Sequence, residues 1–347
     1  MNGQGSGSGS GARDSAFSGA LAKLFPDTSL LNRLERMKVA AGSRVKGTMA
    51  GKRRSSTLGG SQEFADYRPY APGDDIRRLD WNVYGRTGRA YMRQYWDEQE
   101  LTLHVYVDIS PSMNFGGEQA SKLRCALQLA ACGGYAALSG EDRISVKLFG
   151  GAAPAELPAL RGRGSATRLF HFLAAALEQA AEQRSFHPDD GLKSSAIGEG
   201  RAAMQQHAAA LSMREAIAQA GQLPHRTGVT WIVSDAMFEA GIEHTLLSLL
   251  AARQQVVFLH LLSPEELNPS LTGELNLLDS ELGTGKEVAL GSRLLEQYRD
   301  TVNEYCNELK KLCAEHGALY IFIDTSKPME QIVQHTLLRA GVLHSHS

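Results

Sequence analysis

Oxygen-bearing side chains follow an apolar stretch of this chain, at the point where a buried strand would end. Residues Leu101 to Val107 are mostly apolar, and Asp108, Ser110 and Ser112 come next at alternate positions. Because alternate residues of an extended segment point to the same side, a single hard cation could collect all three side chains. Open α/β sheets also place their ligand sites at the carboxyl ends of strands. The spacing therefore predicts a metal site at the edge of a sheet.

Two later residues could complete this site. Thr167 precedes the helical run from Leu169 to Ala181, and Asp235 directly follows the apolar strand from Val229 to Ser234. A carboxylate directly after a buried strand is costly without a partner, which favours Asp235 as a ligand. Thr167 has a second interpretation, because it could cap the following helix. Ser and Asp are also common in caps and turns, so D-x-S-x-S alone has a purely structural interpretation.

The combined pattern D-x-S-x-S, then Thr, then Asp, resembles the metal-ion-dependent adhesion site of von Willebrand factor A domains. The resemblance implies that Asp108, Ser110, Ser112, Thr167 and Asp235 surround Mg²⁺ or another divalent cation. It also implies that the hydroxyls bind directly or through water, and that the aspartates bind mostly through water. An ion held in this way stays electropositive and would capture an acidic residue of a partner protein. Ala236 departs from the pattern, since many A domains have glycine after this aspartate.

A second informative segment mixes acidic, basic and aromatic residues between positions 63 and 86. Its composition has neither a helical nor a strand period, so burial of one apolar face does not explain it. Arginines bind carboxylates through two parallel hydrogen bonds, and aromatic rings can cover such pairs. We expect a rigid polar surface that binds a partner through Glu63, Asp66, Arg68, Asp74, Asp75, Arg77, Asp80, Trp81 and Arg86.

The segment reads E-F-x-D-Y-R-x-Y-x-P-G-D-D-x-R-x-x-D-W-N, and D-x-S-x-S follows it. This combination is similar to the bacterial family called domain of unknown function 58. The similarity covers roughly Gly59 to Gly116, with looser agreement in element order to about Leu338. It implies an A-type domain and a role as adaptor or co-chaperone of a MoxR-type AAA+ ATPase, acting on an unidentified protein client.

Strand-like and helical segments alternate after residue 99, which predicts an α/β fold. We expect a von Willebrand factor A-like, Rossmann-type, mostly parallel sheet flanked by helices, preceded by a family-specific segment. The predicted organisation has four parts: a disordered Gly/Ser-rich tail at 1–28, a helix and signature segment at 29–98, the A-like domain at 99–340 with insertions near 185–222 and 272–291, and a tail at 341–347.

Charge and cysteine content restrict the class of protein. The 36 Lys and Arg residues nearly balance the 38 Asp and Glu residues, which gives no global attraction to nucleic acid or membrane. No apolar run reaches the roughly 18 residues needed for a membrane span. Cys125 and Cys132 are seven residues apart, as are Cys306 and Cys313, so neither pair can bridge within a helix. We therefore expect a cytoplasmic protein with reduced thiols.

The main alternative is a magnesium-dependent phosphatase or other hydrolase that uses Asp108 as a nucleophile. Aspartyl-phosphate enzymes of this topology usually carry a second carboxylate two residues later, where this chain has Ser110. The sequence therefore favours a non-enzymatic binding module.

Overall fold

The computed structural model describes residues 19–25, 27, 29–40, 54–58, 64–98, 101–115, 121–185, 212–269, 273–278, 285–290 and 292–345. The described residues form two compact units. One unit contains residues 19–40 and 101–345, and the other contains residues 54–98. Residues 29–40, predicted to group with the signature segment up to residue 98, belong to the large unit instead.

The strands in chain order are β1 Met37–Val39, β2 Arg54–Leu58, β3 Phe64–Pro69, β4 Tyr91–Glu98, β5 Thr102–Asp108, β6 Arg143–Phe149, β7 Ala155–Arg161, β8 Gly228–Ser234, β9 Gln254–Leu262, β10 Gly273–Leu278, β11 Gly285–Leu290, β12 Leu319–Asp324 and β13 Leu343–Ser345. The helices are α1 (19–24), α2 Ser29–Leu34, α3 Trp81–Thr87, α4 Lys122–Ser139, α5 Ala166–Ser185, α6 Met213–Gln219, α7 Ile242–Ala251, α8 Pro264–Leu267, α9 Ser292–Glu315 and α10 Met329–Gln331. Short turns of 3₁₀ helix cover Ile76–Arg78, Pro111–Asn114 and Arg163–Ser165, and a π-helical turn covers Ile332–Leu337.

The large unit is built on a six-stranded sheet with the order β7-β6-β5-β8-β9-β12. Numbered along the chain, these strands read 3-2-1-4-5-6, the order of the doubly wound Rossmann fold. All neighbouring pairs are parallel except β6 and the edge strand β7. The predicted α/β fold, a mostly parallel Rossmann-type sheet flanked by helices, is confirmed.

The strands form a buried sheet because they are almost continuously apolar. Every residue of β8 is buried, as expected for a parallel strand covered on both faces. On one face, Tyr106, Ile232 and Phe258 pack against α6, α7 and α9. On the other face, α4 packs so closely that a side chain on Gly133 would collide with the Trp231 ring. Close packing on both faces fixes the strand ends that carry the site.

Two local expectations need correction. Residues 19–24 form a helix that buries Leu21 and Leu24, so the predicted disordered tail was wrong for this part. Residues 343–345 form β13, which pairs antiparallel with β1, so they are not a tail. Leu21 and Leu24 lie at helical spacing in the first place, and in the second the buried Leu343 pairs with the buried Val39 of β1. The remaining disorder prediction, for residues 1–18, lies outside the described residues.

Within the predicted insertion near 272–291, the strands β10 and β11 form an antiparallel pair. Residues 279–284 between them lie outside the described residues, as does most of the predicted insertion at 185–222. The four cysteines are free thiols, and Cys125, Cys132 and Cys313 are buried as core residues. Among the residues that the structure describes, no helix is long and apolar enough to cross a bilayer.

The smaller unit is a three-stranded antiparallel sheet with the order β2-β4-β3. Between β3 and β4 the chain forms a 3₁₀ turn and the short helix α3. Asp75 begins the turn by accepting a hydrogen bond from the Arg77 amide, and Asp80 begins α3 by accepting from Asn82 and Val83. Both aspartates therefore act as helix caps.

Candidate metal centre

The ends of two neighbouring parallel strands bring Asp108 and Ser234 together. Val107 of β5 pairs with Val233 of β8, so the next residue of each strand lies at the same edge of the sheet. Ser234 Oγ donates a hydrogen bond to Asp108 Oδ2 at 2.5 Å. The Ser110 amide donates to Asp108 Oδ1 at 2.9 Å. Both carboxylate oxygens of this fully buried residue are thus held in fixed directions.

Ser110 and Ser112 place their hydroxyls next to each other. The 3₁₀ turn from Pro111 to Asn114 follows β5 directly and brings the two Oγ atoms to 3.1 Å. Adjacent ligands of an octahedral magnesium ion, each 2.0–2.1 Å from the metal, are separated by about 3 Å. The spacing of this hydroxyl pair therefore fits two neighbouring positions on one ion.

Asp235 is fully buried and already has a cationic partner within the chain. Lys122 Nζ donates to Asp235 Oδ2 at 2.7 Å, and the Met237 amide donates to Oδ1 at 3.2 Å. The same ammonium contacts the Glu266 carboxylate, and it lies 5.9 Å from the centre of the Phe115 ring. The expected need for a partner was correct, but this partner is an ammonium group that the sequence analysis missed.

Thr167 is less closely tied to the site. It is the second residue of α5 and half-buried, so it does not cap that helix. Within the part of the chain that the structure describes, no hydrogen bond joins its side chain to Asp108, Ser110, Ser112 or Asp235. The structure thus brings four of the five predicted ligands to one edge of the sheet, and within the described residues Thr167 makes no hydrogen bond to them.

The backbone after β8 explains why glycine is common at the position of Ala236. Ala236 has a φ of +59°, in the left-handed region that favours glycine. Its amide donates to Ser234 Oγ at 2.9 Å, and its carbonyl accepts a hydrogen bond from the Tyr305 hydroxyl of α9. These contacts hold an alanine in a conformation that costs about 1–2 kcal/mol.

Gly150 leaves room for Asp108 at the end of β6. Its φ is +81°, and a Cβ atom added there would lie 2.8 Å from Asp108 Oδ1 and 3.3 Å from the Phe238 ring. A side chain at this position would push against the carboxylate. The chain therefore needs glycine here for two reasons, its backbone conformation and the close approach of the site.

Burial shapes the electrostatics of the centre. Burial, reinforced by the negative charge of Asp235, raises the pKa of the Asp108 carboxyl to about 7. A buried carboxylate with a neighbouring negative charge is stabilised by an added cation. Beneath the site, burial lowers the pKa of His260 to about 4, and its Nε2 lies 3.1 Å from the Asp235 carbonyl oxygen.

The donor atoms fit a hard cation that keeps much of its water. In the described ranges, no group of three or more His, Cys, Asp or Glu side chains is arranged to hold a metal. A metal here would therefore use the two serine hydroxyls, with Asp108 acting through its remaining lone pairs. Such a donor set suits magnesium, which usually retains several waters.

Sequence reasoning missed Lys122 and Glu266, although both had signals. Lys122 shares a helix face with Cys125, Ala126 and Leu129 at spacings of three and four, which predicts burial. Glu266 ends the capping-box pattern Ser-Pro-Glu-Glu that begins at Ser263. That box fixes the Glu266 carboxylate near the carboxyl end of β9.

In the smaller unit, the signature segment forms the ion-pair network that its composition predicted. Arg68 binds Asp74 through two hydrogen bonds of 2.6 and 2.5 Å. Asp80 accepts from Arg93 Nε at 2.7 Å and from the Tyr67 hydroxyl at 2.8 Å. The Arg93 guanidinium and this hydroxyl hold the pKa of Asp80 well below its usual range.

Other predicted partner-binding residues of this unit are exposed. Trp81 leaves 63% of its surface accessible and packs edge to face on Tyr84, with ring centroids 6.1 Å apart. The exposed predicted residues are Asp66, Asp75, Arg77, Trp81 and Arg86. Glu63 lies outside the described residues.

Comparison with known proteins gives a family but no described activity. A family model described as "Protein of unknown function DUF58" matches residues 66–307. Uncharacterized proteins of Mycobacterium bovis and Mycobacterium tuberculosis are each 24% identical over 322 residues, covering 92% of this chain and 93% of theirs.

Two solved structures show weak overall similarity. One is a conserved hypothetical protein BatB from Bacteroides thetaiotaomicron, with 15% identity, a TM-score of 0.33, and coverage of 70% of this chain and 98% of that one. The other is an aerotolerance-related membrane protein from Bacteroides fragilis, with 18% identity, a TM-score of 0.33, and coverage of 69% and 99%.

Proposed function

The chain belongs to the DUF58 family, and from that premise we propose that it is a non-enzymatic, metal-dependent protein-interaction module. Ser110 and Ser112, together with Asp108, would hold a divalent cation, most simply Mg²⁺. The cation would supply the positive charge that attracts an acidic residue of a partner. The partners are a MoxR-type AAA+ ATPase, for which the module acts as adaptor or co-chaperone, and a protein client. A cytoplasmic location fits the four free thiols.

The observation that carries this proposal is the hydroxyl pair at the end of β5. The Ser110 and Ser112 Oγ atoms lie 3.1 Å apart and directly beside the anchored carboxylate of Asp108. Neutral hydroxyl ligands leave most of the positive charge on the ion, whereas carboxylate ligands would reduce it. An ion held in this way retains affinity for an external carboxylate.

The environment of Asp108 also favours binding over catalysis. A nucleophilic carboxylate needs an oxygen that can approach a substrate phosphorus or carbon atom. Asp108 is fully buried, and each of its oxygens accepts a hydrogen bond, from the Ser110 amide and from the Ser234 hydroxyl. These contacts make attack on a substrate less favourable than a role in orienting the metal site.

The network in the smaller unit supplies a second binding surface. The Arg68–Asp74 and Arg93–Asp80 pairs stiffen the segment that displays Trp81 and Tyr84. Exposed aromatic residues on a rigid support are frequent binding hot spots. We propose this surface as a second partner-binding site beside the metal-dependent one.

The direct test is co-purification of the MoxR-type ATPase and client with tagged wild type in magnesium or in chelator. The Ser110→Ala/Ser112→Ala variant removes both hydroxyl ligands and leaves every buried charge in place. Ser248→Ala is the matched control, because it removes a hydroxyl that bonds only to its own helix, at the His244 carbonyl.

We expect magnesium-dependent capture by the wild type and the control, and loss of capture by the double variant. Equal capture with chelator, or by the folded double variant, would contradict the metal-dependent mechanism. A phosphatase screen in magnesium tests the hydrolase alternative. Metal-dependent turnover that Asp108→Asn abolishes would replace the proposed function with catalysis.

A further inference from the structure

Lys122 is a fully buried lysine whose ammonium group lies inside the candidate metal centre. It is the first residue of α4, and its Nζ bonds Asp235 Oδ2 at 2.7 Å and also contacts a carboxylate oxygen of Glu266. Lysine is almost never fully buried unless it is paired. Its two carboxylate partners identify this buried group as an ammonium cation.

The second carboxylate of this cluster is fixed independently of the lysine. Glu266 Oε2 accepts a hydrogen bond from the Ser263 amide at 2.8 Å, and the Glu266 amide donates to Ser263 Oγ at 3.2 Å. This capping box holds Glu266 at the start of α8, directly after β9. The ammonium therefore bridges the ends of two neighbouring strands, β8 and β9, at positions set by the fold.

We propose that Lys122 is a positioning residue that neutralises Asp235 and keeps its carboxylate out of direct metal coordination. The proposal rests on the metal-binding function above and specifies how the ion keeps an open position for an acidic partner. Asp235 Oδ2 is bound to the ammonium and Oδ1 to the Met237 amide, so neither oxygen is directed freely at the ion.

The consequence for metal binding follows from the charges. Without the ammonium, Asp235 and Glu266 become buried carboxylates with no internal cation at this position, and burial of an unpaired charge is costly. A divalent cation would relieve that cost by binding Asp235 directly, so its affinity rises. Direct carboxylate ligation then lowers the attraction of the ion for an external carboxylate. Lys122 thus lowers the affinity of the site for the metal and raises the affinity of the bound metal for a partner carboxylate.

The test compares Lys122→Met with wild type in a calorimetric titration with Mn²⁺, followed by acetate titrated onto the Mn²⁺-loaded protein. Lys147→Met is the matched control, because Lys147 is also buried and pairs with Glu156 at 3.3 Å on the edge side of the sheet. We expect Lys122→Met to bind Mn²⁺ on the order of tenfold more tightly or better, and to lose acetate binding. Lys147→Met should bind both ligands as the wild type does.

If Lys122 had a purely structural role, Lys122→Met would bind Mn²⁺ more weakly than the wild type, because the substitution would damage the site. Mn²⁺ binding by folded Lys122→Met that is unchanged or weaker overturns the proposal. If Lys122→Met does not fold in chelator, the same Mn²⁺ titration is made with Glu266→Gln. It removes a negative charge and leaves the ammonium on Asp235, so we expect Mn²⁺ binding several-fold weaker, and unchanged or tighter binding overturns the proposal.

The outcomes separate this proposal from the proposed function. Wild type that binds no Mn²⁺ refutes both. Wild type that binds Mn²⁺ and acetate, together with Lys122→Met that behaves identically, refutes only the role of Lys122.

Discussion

Replacement of Gly150 by alanine tests whether Asp108 is held as rigidly as the structure indicates. The substitution adds a single methyl group, at a φ of +81° and 2.8 Å from Asp108 Oδ1. The Asp108 carboxylate cannot easily move away from the added methyl group, because hydrogen bonds from Ser234 and Ser110 fix both of its oxygens. The strain therefore has to be absorbed at the metal site.

The expected cost has two parts. An alanine in the left-handed region costs about 1–2 kcal/mol, and overpacking at a tight contact adds about 1–3 kcal/mol. Gly317→Ala is the matched control, since Gly317 has a φ of +68° and open space around the missing side chain in the same unit. Gly317→Ala has only the cost of the left-handed backbone. The free energies of unfolding of the two variants should therefore differ by about 1–3 kcal/mol, or roughly 3–10 °C in melting temperature.

Calorimetric or fluorescence-detected melting in chelator measures the difference, and a Mn²⁺ titration shows whether the site is affected. We expect Gly150→Ala to be the less stable variant and to bind Mn²⁺ more weakly than Gly317→Ala. Equal stability and equal metal affinity of the two variants would refute the close approach of Gly150 to Asp108.

Three further predictions concern the surroundings of the site and the smaller unit. Burial lowers the pKa of His104 to about 4, so the unfolded chain takes up a proton near pH 6.5 before the native protein does. Stability should fall by about 2 kcal/mol between pH 6.5 and 5 through this group, and urea titrations of His104→Gln should show that part of the pH dependence removed. Tyr305→Phe loses the hydrogen bond to the Ala236 carbonyl and should cost about 1 kcal/mol in urea unfolding; no loss would show that this bond does not support the strained loop. Asp80→Asn weakens the contacts to Arg93 and removes a helix-capping charge, so limited proteolysis should cut the smaller unit faster, and an unchanged rate would contradict the network.

The strand ends of the large unit could be predicted because their pattern is local. A run of apolar residues followed by Asp108, and another followed by Asp235, marks the end of each buried strand directly in the sequence. The parallel order then brings the two ends together, since both strands run in the same direction at the centre of the sheet. Four of the five expected ligands follow from this reasoning.

The edge strand β7 and the lysine were missed for different physical reasons. β7 contains Pro158 and buries only Leu157 and Leu160, a pattern that an edge strand tolerates but that does not signal a strand. The burial of Lys122 had a local signal in its helical spacing, but its pairing with Glu266, which lies 144 residues later in the chain, had none. Such pairing is decided by tertiary structure and not by any local period.

The left-handed conformation of Ala236 was also hidden from the sequence, although the departure from glycine had been noticed there. An alanine gives no sign of a positive φ, which becomes visible only with the hydrogen bonds from Ser234 and Tyr305 that support it. Thr167 stands where a ligand and a helix cap are equally compatible with the sequence, so the pattern alone does not decide between them.

The most direct test of the proposed metal site is a Mn²⁺ titration of the wild type and of Ser110→Ala/Ser112→Ala. Electron paramagnetic resonance of the free ion monitors the titration. We expect one bound ion per wild-type chain and loss of that binding in a variant that still melts cooperatively. A wild-type chain that binds no ion, or a folded double variant that binds one with wild-type affinity, would contradict this expectation.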